Sequence, residues 1–291
     1  MAFKTASPGG TFLLGGDLPV ARLGYGTMRL VGDGAWGEPA DAAEAHRVLR
    51  RAVELGVTLI DTADAYGPEI AERLVAEALH PYPAGLVVAT KGGITRQGPA
   101  KTEYVGRAGY LIQCVEMSLR RLKLERIELY QLHRIDPRTP LEESLGALKQ
   151  MQEQGKIRHI GLSEVTPAQI EEARKIVPIV SVQNRYSLSD RRNEESLAWC
   201  EKQGIAFLPW YPMAGGKMLK PDSPSTETLH RIAAAHDATP AQVSLAWILQ
   251  RSPVMLPIPG TSKVAHLEEN IAAVGLSLTA EEIAQMESAP V

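Results

Sequence analysis

Two cysteines in 291 residues are too few for a disulfide framework, and Cys114 and Cys200 stand too far apart for a CxxC redox pair. Both read as ordinary buried or half-buried thiols on helices, free cysteine being among the most buried residue types. His46, His80, His159, His230, His236 and His266 show neither HxH nor HExxH spacing, so a metal site is not expected. No apolar run approaches the ~18 residues of a membrane span, and residues 1–10 lack the charged-then-apolar layout of a signal peptide. A cytoplasmic location is therefore expected. A formal net charge of −3 and the lack of any long basic run leave nothing to hold nucleic acid or an anionic membrane. Linkers, low-complexity stretches and compositional breaks are missing too, so a single domain over residues 1–291 is expected, monomeric by default.

What is present is an alternation. Short apolar segments at 23–28, 58–60, 86–90, 127–132, 157–162, 179–182, 205–209 and 254–258 are separated by stretches of helical periodicity. Those stretches predict helices at about 41–55, from 67 onward, 104–122, 141–154, from 166 onward, 193–203, 225–236, 240–250 and 264–274. Gly56 suits the left-handed stop of the first helix, and Thr166 before Pro167 reads as a cap. Residues 11–20, with Gly15-Gly16 between short apolar runs, read as an N-terminal β-hairpin, and about 279–288 as an extra C-terminal helix. Strand–helix alternation argues for a parallel sheet with helices outside it, and eight units fit an α/β fold, the (β/α)8 TIM barrel of typically ~250 residues. A doubly wound open sheet is the alternative, but Arg29 stands where the third glycine of its dinucleotide fingerprint would follow Gly24 and Gly26.

Parallel strands of one barrel bring their C-terminal ends to one rim, where barrel active sites are built. Here those ends are polar or aromatic: Asp61 with Tyr66 close behind, Lys91, His133, Ser163, Gln183 and Trp210. A buried Lys91 needs a partner, and Asp61 on the neighbouring strand end is the obvious one. A cation beside Tyr66 stabilises its phenolate and suits it to general-acid work, while His133 can donate a hydrogen bond to a carbonyl oxygen. These four candidate catalytic residues suit proton delivery to a nascent alkoxide, which leaves a hydride source to be found. Ser163 and Gln183 can bind a carboxamide, and Trp210 offers a flat face for an aromatic ring. Gly215, Gly216 and Lys217 make a permissive loop beside which a pyrophosphate fits. Gly260, Thr261, Ser262 and Lys263 lead into a helix N-terminus that attracts anions. Thr27, Tyr211, Pro212 and Met213 join these cofactor-binding candidates. The modest length of the 211–225 segment predicts an open substrate mouth and relaxed selectivity, with Trp36, Tyr66, Tyr186 and Tyr211 as walls. Asp64 reads as a loop or cap residue.

Four stretches resemble motifs of the aldo-keto reductase family in sequence and order: Asp61-Thr-Ala-Asp-Ala-Tyr66-Gly67, Thr90-Lys91-Gly92-Gly93, Leu129-Tyr-Gln-Leu-His133 and Gly155-Lys-Ile-Arg-His-Ile-Gly-Leu-Ser163. The resemblance runs from about Leu23 to Asn270 and implies a (β/α)8 barrel with NADPH-dependent interconversion of carbonyl and alcohol. It implies Tyr66 as proton donor, Lys91 and Asp61 as its tuners, and His133 as the group orienting the carbonyl. It further implies Ser163 and Gln183 on the carboxamide, Trp210 on the stacking position, and Glu269 and Asn270 on the adenine. Three departures stand out. Glu164 replaces a common Asn, Trp210 replaces the usual Tyr, and Gly260 and His266 stand where many members carry Lys and Arg for the 2′-phosphate. NADPH is expected to rest on Thr261, Ser262 and Lys263, with NADH as second choice. Leu132-His-Arg-Ile-Asp136 and Phe207-Leu-Pro-Trp-Tyr-Pro212 look like a bacterial branch that includes pyridoxal reductases. The expected activity is reduction of a small carbonyl substrate, aldehydes foremost. The alternatives are a Schiff-base lyase using Lys91 and a cofactor-binding regulatory subunit.

Overall fold

Inside–outside alternation along each strand organises the molecule. The computed structural model describes residues 9–219 and 224–288, with the side chains of 217–219, 224 and 225 outside that description. The barrel strands are β1 (Tyr25–Gly26), β2 (Leu59–Asp61), β3 (Val87–Gly92), β4 (Ile127–Leu132), β5 (Ile157–Ser163), β6 (Ile179–Gln183) and β7 (Ala206–Phe207). Each pairs parallel to its sequence neighbour in one curled sheet. Leu59, Val87, Ala89 and Leu129 point into a central core, while Ile60, Val88, Tyr130 and Leu132 point out toward helices. A period of two carries the pattern on to the strand ends. Asp61, Lys91, Gln131 and His133 continue the inward rows, and Thr90 is turned outward to a helix.

The barrel is closed by residues 254–259. On one side Phe207 N–H donates to Val254 O and Leu256 N–H to Phe207 O, both at 2.8 Å. On the other, Gly24 N–H donates to Pro257 O at 3.0 Å and Gly26 N–H to Pro259 O at 3.3 Å. The eighth strand expected at 254–258 is thus present as an extended segment with a sparse ladder, because Pro257 and Pro259 have no N–H to give. Closure also needs glycine. A Cβ on Gly26 would sit 2.7 Å from Ile258 O, and one on Gly260 2.8 Å from Gly26 O.

The helices α1 (Ala42–Glu54), α2 (Ile70–Leu79), α3 (Ala108–Leu122), α4 (Leu141–Glu153), α5 (Pro167–Arg174) and α6 (Glu194–Gln203) alternate with the strands. They are followed by α7 (Pro224–Ala235), α8 (Pro240–Arg251), α9 (Val264–Ala272) and α10 (Ala280–Ser288), the last being the expected extra helix. Thr166 caps α5 in a full capping box with Gln169, as the Thr-Pro pair predicts, and Thr239 does the same for α8 with Gln242. The N-terminal hairpin pairs Thr11–Leu14 with Leu18–Ala21 and presses Leu14, Leu18 and Val20 onto the barrel interior beside Leu59 and Val87, near the starts of their strands. It plugs the end of the barrel away from the polar strand ends.

Two differences bear on the site. The helix expected from 104 begins at Ala108, because residues 94–104 form a second antiparallel hairpin, Ile94–Gly98 with Lys101–Tyr104. Gly98-Pro99 turns it, and the alternation of Ile94, Arg96, Thr102 and Tyr104 is its signature. The first barrel strand, expected over 23–28, holds its ladder only at Tyr25–Gly26, and Thr27–Leu30 coils into a short 3-10 turn. Among the described residues no helix is long and apolar enough to cross a membrane, and no cluster of His, Cys, Asp and Glu is arranged to hold a metal ion.

Candidate active site

The inward rows of β2, β3 and β4 meet at one point. Lys91 is fully buried, and its Nζ donates to Asp61 Oδ1 at 2.5 Å, to Thr62 O at 2.8 Å and to the Tyr66 hydroxyl at 3.4 Å. The other Asp61 oxygen accepts from Gln131 Nε2 at 3.1 Å and Gln183 Nε2 at 2.8 Å. A buried carboxylate is tolerable when its lone pairs are taken, and here four described bonds meet at Asp61 and Lys91 besides the one to Tyr66. Burial works against the Lys91 charge, yet Asp61 and then Tyr66 outweigh it and hold the ammonium pKa above its ordinary value. A Schiff-base lyase needs this amine neutral, so the lyase expectation for Lys91 meets the opposite electrostatics.

His133 lies edge-on to Tyr66, ring centres 5.9 Å apart. Burial first, then the cations Lys91, Arg134 and Arg96, push its pKa well below the ordinary histidine value. The imidazole is therefore neutral at physiological pH, able to donate a hydrogen bond and without an extra proton to give. Its Nδ1 is buried without a partner among the described residues.

Tyr66, Asp61 and His133 open onto a cleft of about 570 Å³ that runs across the strand ends. The structure gathers most of the cofactor-binding candidates on its wall: Thr27, Ser163 and Gln183, then the run Trp210, Tyr211, Pro212 and Met213 with Gly215 and Gly216, then Gly260, Thr261, Ser262, His266, Glu269 and Asn270. Lys263 is exposed and lies off that wall, and the Lys217 side chain lies outside the described residues. The expectation for the 211–225 segment falls partly outside them too.

Two assignments are corrected. Tyr186 is no substrate wall: it is fully buried between Phe207 and Trp247, ring-stacked on the latter, with its hydroxyl donating to Glu194 at 2.5 Å. Trp36 bridges to Gly67 through its backbone, but its side chain is exposed and not on the cleft wall. Asp64 lies in the turn after β2, in keeping with its reading as a loop residue. It is buried, one of its oxygens lacks a partner, and burial followed by the nearby Glu72 carboxylate raises its pKa to about 7.

The structure also joins features that the sequence left separate. Trp210 Nε1 donates to Glu164 Oε1 at 2.6 Å, and the same oxygen accepts Arg185 N–H at 2.6 Å. The Arg185 guanidinium lies 5.6 Å from the Trp210 ring centre and 4.5 Å from that of Tyr211. The two departures at 164 and 210 are thus one device, in which the indole gains the acceptor it needs. At α9 the expected anion position is contested, because Val264 N–H already donates to Glu44 on α1 at 3.1 Å. Periodicity did not find Arg96 and Arg134, which also line the cleft.

The aldo/keto reductase family model matches residues 22–290. The chain belongs to the aldo/keto reductase family. It is 49% identical over 282 residues to an uncharacterised oxidoreductase of Schizosaccharomyces pombe, covering 97% of this chain and 90% of that one. It is 43% identical over 283 residues to pyridoxine 4-dehydrogenase of Escherichia coli, covering 95% and 97%. Among solved structures it superposes on an aldo-keto reductase from Klebsiella pneumoniae in complex with NADPH, with a TM-score of 0.81, 27% identity and coverage of 95% and 93%. For an aldo/keto reductase, the (β/α)8 barrel and the cleft across its strand ends are the expected frame.

Proposed function

We propose that the protein reduces aldehydes, and some ketones, to alcohols with NADPH, using Tyr66 as the proton donor. The observation that carries this reading is the buried Lys91 ammonium, fixed by Asp61 and 3.4 Å from the Tyr66 hydroxyl oxygen. The cleft fits a dinucleotide. An indole face at Trp210, the permissive Gly215 and Gly216, and the Ser163 hydroxyl line one continuous wall. Gln183 spends its amide nitrogen on Asp61, so its amide oxygen is what a carboxamide NH2 would meet. Thr261 and Ser262 would hold the ribose phosphate, and Glu269 and Asn270 the adenine.

NADPH bound there supplies the hydride. The protein supplies the proton and the orientation. A substrate carbonyl oxygen accepts from Tyr66 and from the neutral His133, and as negative charge builds on it the Tyr66 proton moves across. Lys91 then faces the phenolate oxygen at short range in a site from which bulk water is excluded, where such an interaction is strong. His133, held neutral, orients the oxygen without competing as the acid.

The E. coli relative is named for pyridoxine, and pyridoxal is the first carbonyl compound to test. Tyr66→Phe is expected to lower kcat by about 10³-fold while NADPH still binds, since general-acid catalysis is worth ~10²–10⁴. NADPH oxidation retained at the wild-type rate by this variant would remove Tyr66 from the chemistry.

A further inference from the structure

The end of the cleft that carries Tyr66 and His133 holds two guanidiniums with no acid beside them. Arg96, on the second hairpin, donates Nε to Ala65 O at 2.5 Å and Nη1 to Gly34 O at 3.1 Å. Arg134, directly after His133, donates Nη1 to His133 O at 2.6 Å and to Ser163 Oγ at 2.9 Å. Both are half-buried, and both line the cleft. Their described hydrogen bonds all go to neutral oxygens, which leaves Nη2 of each without a described protein partner. Other half-buried arginines meet carboxylates, as Arg121 on α3 meets Glu72 at 2.6 Å and Arg158 on β5 meets Glu128 at 2.9 Å, while Arg22, far from the cleft, donates to Leu249 O and Ser252 O.

The acids on the cleft wall do not offset this charge. Asp61 is taken up by Lys91, Gln131 and Gln183, and Glu269 sits on α9 with His266 and Asn270, away from the elements that carry Tyr66 and His133. Lys91 in turn is spent on Asp61. The free positive charge at the reacting end is therefore that of Arg96 and Arg134, and both guanidiniums are held in place by backbone carbonyls before any ligand arrives. A planar, pre-oriented guanidinium in a part-desolvated cleft is suited to a carboxylate or phosphate.

We propose that Arg96 and Arg134 select, among the carbonyl compounds the cleft admits, those that carry an anionic group. This rests on the reductase reading and narrows it: the broad mouth remains, with a charge preference within it.

The test compares NADPH-dependent reduction of three acids with that of their methyl esters: 3-carboxybenzaldehyde, 4-carboxybenzaldehyde and 4-oxobutanoate. The three pairs scan the distance from carbonyl to charge. In the aromatic pairs the ester is the more activated aldehyde in solution, so a preference for the acid must come from the protein. At least one acid is expected to show kcat/KM about 10-fold or more above its ester, the size of one or two hydrogen bonds to a charged group. Arg96→Gln and Arg134→Gln should each lose more on the acid than on the ester, and the double variant should bring the ratio to about 1 or below. Arg→Lys at either position should recover part of it. The wild-type ratio stands even if a variant fails to fold.

The inference is overturned if the ester is preferred in every pair or if the preference survives in the double variant. It is also overturned if the Gln variants weaken NADPH binding while the ratio holds, which would give both arginines to the cofactor. If neither member of any pair nor pyridoxal oxidises NADPH, the reductase reading itself fails and takes the inference with it.

Discussion

The two ends of the cleft are built differently. At the reacting end, Asp61, Lys91, Gln131 and His133 continue the inward rows of β2, β3 and β4, all buried, the first three cross-linked by hydrogen bonds to Asp61 and His133 packed edge-on against Tyr66. At the cofactor end, residues 210–216 and 260–270 are loop and helix-start positions of mixed exposure. Their polar groups answer mostly to partners from distant elements, Glu164 under Trp210 and Glu44 at Val264. The difference teaches where preorganisation is placed. The groups that must handle a proton are fixed by strand geometry, and the groups that bind a large, flexible molecule are left on segments able to adjust.

Breaking the rigid end should have the largest effect. Lys91→Met leaves Asp61 buried without its cation, so both chemistry and fold should suffer: a loss of roughly 10³ in kcat and of about 3–5 kcal/mol in stability. Steady-state kinetics and denaturant unfolding read the two losses. A near-normal midpoint would show that this pair is not what holds the strand ends together.

Asp64 tests the same buried side with the opposite sign. Its folded pKa of about 7 lies above the ordinary 3.8, so the folded state holds the proton more tightly and stability falls as pH rises from about 4 through 7. Asp64→Asn removes that loss. It should stabilise the protein at pH 8, on the order of 1–3 kcal/mol, and make little difference at pH 4. Thermal melts at the two pH values decide it, and a constant offset across pH would refute the titration.

At the adaptable end the effects should be smaller and fall on binding. Glu164→Gln weakens a charge-assisted bond to the Trp210 indole, and NADPH affinity should drop by about 5–10-fold with a smaller change in kcat, read by fluorescence titration beside kinetics. A fall in kcat alone would place Glu164 with the reacting end instead. Glu44→Gln should act least. The amide oxygen still accepts Val264 N–H, but the negative charge at the start of α9 is gone, which improves NADPH over NADH by a few-fold, in keeping with about 0.3–1 kcal/mol for a charge near a helix terminus. Equal gains for both cofactors would mean that α9 does not meet the 2′-phosphate.

The same contrast explains what could be read from the sequence. The rigid end was legible, because a strand ending in an inward polar residue announces itself through a period of two, and Asp61, Lys91, His133, Ser163 and Gln183 all do so. The barrel was legible from the repeat of strand and helix, even though Pro257 and Pro259 thin the ladder of its closing segment. What escaped depends on contacts between distant residues. Val264 meets Glu44 from 220 positions away, and Trp210 meets Glu164 from 46. Tyr186 looked like a rim residue until Trp247 and Phe207 were seen around it. Arg134 lies one step past the last inward position, where periodicity no longer says which way a side chain turns. Arg96 was hidden by reading the 94–104 hairpin as the approach to a helix, although Gly98-Pro99 marked the turn.

A crystal structure of the NADPH complex tests the central claim most directly. The expected complex keeps Lys91 bonded to Asp61 and to Tyr66, with the nicotinamide C4 facing open volume beside Tyr66 and His133. A carbonyl carbon held by those two residues would then lie within roughly 3–3.5 Å of it. A nicotinamide bound at the far end of the cleft, or a Lys91 that has left Asp61, would contradict it.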